Sequence, residues 1–165
     1  MSHTPIIRNA TTSDAGPITA IYNDAIDHTV SSVWFDHRPV SELAERIKSA
    51  TELYPTLAAE IDGLVVGGAW AGPWNPRDGY DATVEFTVYV DGSARGRGVG
   101  KALYTELIQR VRAAGARDAI GGISLPNEAS VRLHESLGFR HVGTFEGIAE
   151  KFGRCLDVGY WQLRL

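Results

Sequence analysis

Residues 83–111 read TVEFTVYVDGSARGRGVGKALYTELIQRV. The first eight are β-branched and aromatic with a period of two: Val84, Phe86, Val88 and Val90 take one face, Glu85, Thr87 and Tyr89 the other. From Val99 the period becomes that of a helix, with Val99, Leu103, Leu107 and Val111 on one side and Gly115 as its stop. Between the two lies a turn that alternates arginine with glycine, Arg95-Gly96-Arg97-Gly98. It gathers several backbone N–H groups and a helix N-terminus at one point, which suits an anion, above all a phosphate. A strand that empties through such a turn into a helix limits the chain to folds that layer helices on a sheet.

The other segments extend that pattern. IIR at residues 6–8 reads as a short first strand, and TTSDAGPITAIYNDAI carries Ile18, Ile21, Tyr22, Ala25 and Ile26 at helical spacing, with Thr12 or Ser13 as N-cap. A second helix starts at Pro39, with Val40, Leu43, Ala44 and Ile47 on one face. TLAAEI and LVVGGAW flank Asp62-Gly63, a dipeptide made for a two-residue hairpin. The loop AGPWNPRDGYD follows, where two prolines and two glycines exclude regular structure. Beyond the central helix come a strand, DAIGGISL, a helix, NEASVRLHESLG, capped by Asn127 and closed by Gly138, and two strands, FRHVGTFEG and RCLDVGYWQLRL. The expected order is β-α-α-β-β-β-α-β-α-β-β, an α/β (α+β) fold with a mixed central sheet and helices on both faces, in one domain over residues 1–165.

Which phosphate ligand fits is decided residue by residue. A P-loop ending at Gly100-Lys101 needs a glycine where Arg95 stands and a hydroxyl where Ala102 stands. A dinucleotide fingerprint begun at Gly96 puts Lys101 at its third glycine, and an antiparallel hairpin precedes it instead of a βαβ unit. Both nucleotide readings fail. The formal net charge of −4 argues against nucleic acid as a partner. The one cysteine, Cys155, rules out an internal disulfide framework and a multi-cysteine zinc site, and no metal is expected. The N-terminal stretch lacks the pattern of a secretory signal and the most apolar run, LVVGGAWAGPW, is too short to span a bilayer, so no membrane partner and a cytoplasmic location are expected.

The pattern R-x-x-G-x-G, here Arg95, Gly98 and Gly100, resembles the cofactor loop of the GNAT N-acetyltransferase superfamily. LPNEASVRLHESLGF is similar to that family's second cofactor segment, and IYNDAI, AGPWNPRDGYDATVEFTVYV and KFGRCLDVGYWQ resemble the phosphinothricin and methionine sulfoximine acetyltransferases over nearly the whole chain. The resemblance implies a GNAT fold, acetyl-CoA as co-substrate, a small glutamate-like amino acid as acceptor, and a homodimer; an acetyltransferase of protein N-termini or polyamines and a non-catalytic acyl-CoA-binding module are the alternatives. It also implies a cofactor site made of Val88, Tyr89, Val90, Arg95, Gly96, Arg97, Gly98, Val99, Gly100, Lys101, Asn127 and Ser136. Their backbone N–H groups would hold the pyrophosphate, and a bulged, splayed strand at Val88–Val90 would meet the pantetheine arm.

Glu85 reads from its strand either as a carboxylate paired with an arginine or as a functional group, and the resemblance implies a general base. His134 lies close to an apolar stripe, the usual place of a structural histidine; the resemblance implies a second base or the acid that serves the departing thiolate, with the choice open. The Val88 N–H is implied to hold the thioester oxygen. Asn127 caps its helix and is implied to touch cofactor or substrate as well. Arg77 and Tyr80 are the substrate anchors, an arginine fork matching a carboxylate or phosphinate, with a solvated loop arginine as the plain alternative. Trp34, Phe35 and Trp74 wall the pocket or belong to the core. Cys155, in a strand with no histidine beside it in sequence, reads as a buried small hydrophobe, which leaves no acyl-cysteine route. The resemblance would put an aromatic residue in its place.

Overall fold

The computed structural model describes residues 4–165. Its strands are β1 (Ile6–Asn9), β2 (Thr56–Ile61), β3 (Leu64–Pro73), β4 (Thr83–Val90), β5 (Asp118–Ser124), β6 (Arg140–Lys151) and β7 (Arg154–Arg164); its α-helices are α1 (Ala15–His28), α2 (Val40–Lys48), α3 (Val99–Ala113) and α4 (Glu128–Ser136). Three short 3-10 turns that periodicity does not reveal sit at Thr12–Asp14, Asp78–Tyr80 and Gly92–Ala94. The strands form one mixed sheet in the order β1-β2-β3-β4-β5-β7-β6, in which only β4 and β5 run parallel.

Alternation along β2 shows how the layers are built. Leu57, Ala59 and Ile61 pack with Val99, Leu103, Leu107 and Val111 of α3, whereas Ala58 turns to the opposite face and packs with Ile18 of α1 and Leu43 of α2. Helices therefore cover both faces, and each fully buried α3 side chain contributes about 1.5–3 kcal/mol. Within α2 only Leu43 is buried, and Val40 is exposed. The Asp62-Gly63 hairpin has φ of 53° and 79°, the left-handed pair that a two-residue turn needs.

Two ends differ from expectation. The first helix is entered through the 3-10 turn, so neither Thr12 nor Ser13 caps it. Instead, Asp14 accepts the Thr11 N–H at 2.6 Å and a bidentate pair from Arg8 at 2.7 and 2.9 Å. Strand β6 also runs on to Lys151 and turns at Phe152-Gly153, both with positive φ, so the β6–β7 hairpin extends past the core. Cys155 pairs with Glu150 in that outer arm and is exposed. The expectation of a buried hydrophobe is corrected: along β7 the side chains alternate, so Leu156 is buried while its neighbours Cys155 and Asp157 face outward.

Candidate active site

The centre of the sheet opens because β5 leaves β4. The two pair only over Thr83–Glu85 and Asp118–Ile120, while β5 pairs with β7 along its whole length. Asp91 N–H donates to Val66 O of β3 at 2.8 Å. By antiparallel alternation, the odd residues of β4 bond β3, and Val84, Phe86, Val88 and Val90 direct their N–H and C=O toward β5. Past Glu85 no β5 residue meets them, so the backbone groups of Val88 and Val90 face a slot. The expected bulge is absent, since the β3–β4 register is unbroken from Val84 to Val90. The divergence of β5 alone produces the splay.

Two joined cavities occupy the slot. The larger, about 530 Å³, runs between β4, the glycine turn and α4, and is lined by Val88, Val90, Arg95, Gly96, Gly100 and Asn127 among others. The smaller, about 110 Å³, brings together Glu85, Val88, Tyr104, Gly122, Asn127 and His134. Ser31, Val88, Asn127 and Ser130 line both.

At the mouth of the larger cavity Gly96 and Gly98 have φ of 74° and 79°, a conformation that glycine adopts without strain. The Asp91 carboxylate accepts the Ser93 N–H at 2.8 Å and fixes the turn that precedes them. The first helical bond of α3 runs from Ala102 N–H to Gly98 O, which leaves the N–H groups of Val99, Gly100 and Lys101 without helical acceptors. This donor set and the exposed Arg97 and Lys101 fit a diphosphate, although Arg97, Gly98 and Lys101 flank the cavity without lining it. At the other end Asn127 Oδ1 accepts the Ser130 N–H at 3.2 Å, so its capping role holds.

Glu85 is half-buried and makes no hydrogen bond or ion pair among the described residues, so the arginine pairing considered for it is absent. Burial alone raises its pKa above the ordinary carboxylate range. His134 is 2% exposed. Its Nδ1–H donates to Ser130 O at 2.7 Å, which leaves Nε2 as a buried lone pair with no partner among the described residues. Burial lowers its pKa, partly offset by the Ser130 bond. The ring stands edge-on to Tyr104 and Phe139, with centroids 5.2 and 5.0 Å away. The imidazole depends on a glycine in β5, and the carboxylate lies beside the next one. A Cβ at Gly121 would lie 2.3 Å from His134 Nε2, and one at Gly122 would lie 3.9 Å from Glu85 Oε1. Successive residues point to opposite faces, so Glu85 and His134 reach the slot from its two sides.

Other expected residues lie further off. The Tyr89 side chain turns away from the larger cavity and stacks on Tyr22 of α1 at 4.3 Å, although Tyr89 lines the smaller one. Ser136 is exposed and donates to Leu133 O, lining neither cavity. Arg77 and Tyr80 are exposed on the β3–β4 loop and do not line the Glu85 cavity. That loop reaches the site through Trp74, which meets Tyr160 edge-on at 5.4 Å, and Tyr160 lies 3.2 Å from the Cβ position of Gly122. Trp34 and Phe35 are exposed. Tyr104, Ser31 and Tyr160 escape the sequence reading. Tyr104 follows Leu103 on the apolar face of α3, which marks it as core, and burial raises its hydroxyl pKa.

Comparison with known proteins agrees with this geometry. The sequence model of the acetyltransferase (GNAT) family matches residues 19–139. The chain is 39% identical over 156 residues to a phosphinothricin N-acetyltransferase of Streptomyces viridochromogenes, covering 94% of this chain and 85% of that one. It is 41% identical over 164 residues to an L-methionine sulfoximine/L-methionine sulfone acetyltransferase of Pseudomonas aeruginosa, covering 96% and 94%. Among solved structures, a phosphinothricin acetyltransferase from Sinorhizobium meliloti in complex with acetyl-CoA superimposes with a TM-score of 0.94 at 34% identity, covering 98% of this chain and 89% of that one. The splayed β4–β5 slot, the amide-lined glycine turn and these similarities together make the chain a member of the GNAT acetyltransferase family.

Proposed function

We propose that the chain is an acetyl-CoA-dependent N-acetyltransferase acting on the α-amine of a small glutamate-like amino acid, with phosphinothricin and methionine sulfoximine as first acceptors. The observation that carries the reading is Glu85. It is a carboxylate with no partner among the described residues, desolvated and close to the backbone groups of Val88 and Val90 that β5 leaves unpaired. Acetyl-CoA, when bound, supplies a thioester for the acceptor amine to attack in a ternary complex. The turn from Arg95 to Lys101 holds its diphosphate, and the free groups of Val88 and Val90 pair with the amide-bearing arm. An ammonium cannot attack, so Glu85 removes the proton, directly or through water. Such a base is worth about 10²–10⁴-fold. Val88 N–H faces the developing oxyanion. His134, with its proton held on Nδ1, offers Nε2 as a proton acceptor or relay on the opposite side of the slot. Arg77 and Tyr80 anchor the acceptor's acid group. Cys155 stays outside the chemistry, exposed on the outer hairpin arm.

A homodimer and a cytoplasmic location belong to the same proposal. The exposed Val142, Phe145 and Ile148 of edge strand β6 support the dimer. No helix among the described residues is long and apolar enough to cross a membrane. The test is CoA release, followed with a thiol reagent, from purified protein, acetyl-CoA and a panel of phosphinothricin, methionine sulfoximine, a polyamine and a peptide. Turnover confined to the two amino acids is the expected result. Turnover of the peptide or polyamine alone overturns the acceptor, and CoA binding without turnover of any member overturns the enzyme.

A further inference from the structure

A third cleft, about 250 Å³, opens between α1, α2 and β4. It adjoins the Glu85 cavity, since Thr87 and Tyr89 line both. Two arginines enter it, each seated on an indole: Arg38 Cζ lies 4.0 Å from a Trp34 ring centroid and Arg46 Cζ lies 5.6 Å from that of Trp70. Arg38 is held at its backbone by Asn23, whose Oδ1 accepts its N–H at 2.8 Å and whose Nδ2 donates to its carbonyl at 3.1 Å. Its Nη2 pairs with Glu42, yet its Nε is buried and donates to no group among the described residues. The Arg46 side chain makes no ion pair or hydrogen bond among the described residues. Arg38 and Arg46 against Glu42 leave the cleft with one positive charge in excess.

The sheet register relates that charge to the chemistry. Arg46 Nη1 lies 3.6 Å from the Cβ position of Gly72, and Gly72 is the cross-strand partner of Glu85. Cross-strand partners share a face. The free guanidinium thus covers the face that carries the Glu85 carboxylate, one strand away. Strands lie about 4.8 Å apart, which is the scale of a glutamate side chain.

We propose that the α1–α2 cleft is the subsite for the acceptor's anionic side-chain group, read by Arg46 and supported by Arg38 while the α-amine lies at Glu85. The inference rests on the amino-acid acceptor proposed above, and it leaves the Arg77 loop for the α-carboxylate. A guanidinium fork matches a carboxylate or phosphinate bidentately, and the two indoles prevent it from collapsing into solvent.

The experiment compares kcat/KM for phosphinothricin, whose side chain is anionic, with that for methionine sulfone, whose side chain is neutral, in the wild type, Arg46→Gln and Arg46→Lys. Arg46→Gln is expected to lower the phosphinothricin-to-sulfone ratio at least tenfold, mainly through KM. Arg46→Lys is expected to recover part of that ratio. Arg46 is exposed, so folding is checked simply by an unchanged Tm. An unmoved ratio, or equal losses on both acceptors, overturns the subsite and leaves the acceptor class standing. Wild-type turnover of neither acceptor overturns the acceptor reading and the subsite with it.

Discussion

Replacing Gly121 with alanine would put a Cβ 2.3 Å from His134 Nε2 and 2.5 Å from its Cδ2. The ring cannot swing away freely, because Tyr104 and Phe139 stand against it and Nδ1 is bonded to Ser130 O. Either β5 shifts or the imidazole leaves its position and loses that bond. Overpacking costs about 1–3 kcal/mol and the hydrogen bond about 1 kcal/mol, together about 2–4 kcal/mol. For a domain of this size that lowers Tm by about 4–16 °C. The displaced Nε2 should also lower kcat at least tenfold, with little change in KM for acetyl-CoA, whose proposed diphosphate contacts lie at the glycine turn. The assays are thermal unfolding and CoA release. Gly122→Ala is the control, since its nearest contact, Tyr160 Cε1 at 3.2 Å, is milder. A Gly121→Ala protein with wild-type Tm and kcat would refute both the packing and the part given to His134.

Two further outcomes concern stability and pH. Arg8 holds the Asp14 carboxyl at about 2, below its ordinary 3.8, with help from the Thr11 N–H. A depressed folded-state pKa gives stability that is complete above 3.8 and is lost as pH falls toward 2, so Asp14→Asn should cost about 2 kcal/mol at neutral pH; urea unfolding should show the gap closing in acid. Glu85 has the opposite sign. Its folded-state pKa is raised, so the ionised carboxylate destabilises the fold above that value, and Glu85→Gln should raise Tm at pH 8 relative to wild type, with the gain vanishing toward pH 4. An equal Tm gain at both pH values would show that burial of the charge is not its cause.

Much of the fold is legible because it rests on local periodicity. The α3 stripe, the alternation in β4 and the Asp62-Gly63 turn each specify their own geometry, and α4 carries its cap at Asn127 and its stop at Gly138. Where long-range packing decides, the sequence is silent. Nothing in RCLDVGYWQ shows that Cys155 turns outward while Leu156 turns inward, because Phe152-Gly153 is not a habitual hairpin dipeptide and β6 reads as ending near Gly147. The site follows the same division. Glu85 and the glycine turn stand out as residues that break their local pattern. Tyr104 and Tyr160 obey theirs, and only the divergence of β5 from β4 makes them part of a cavity. Arg46 looks like an ordinary solvated face of α2 until the register sets it over the strand partner of Glu85.

The most direct test of the whole reading is the dependence of kcat/KM on pH, from about pH 6 to 9, for wild type and Glu85→Gln with a phosphinothricin acceptor and saturating acetyl-CoA. If Glu85 is the base, the variant loses about 10²–10⁴-fold in kcat/KM across this range while still binding acetyl-CoA. A variant that keeps full kcat/KM at every pH would contradict the central claim and return Glu85 to the status of a buried carboxylate without a task.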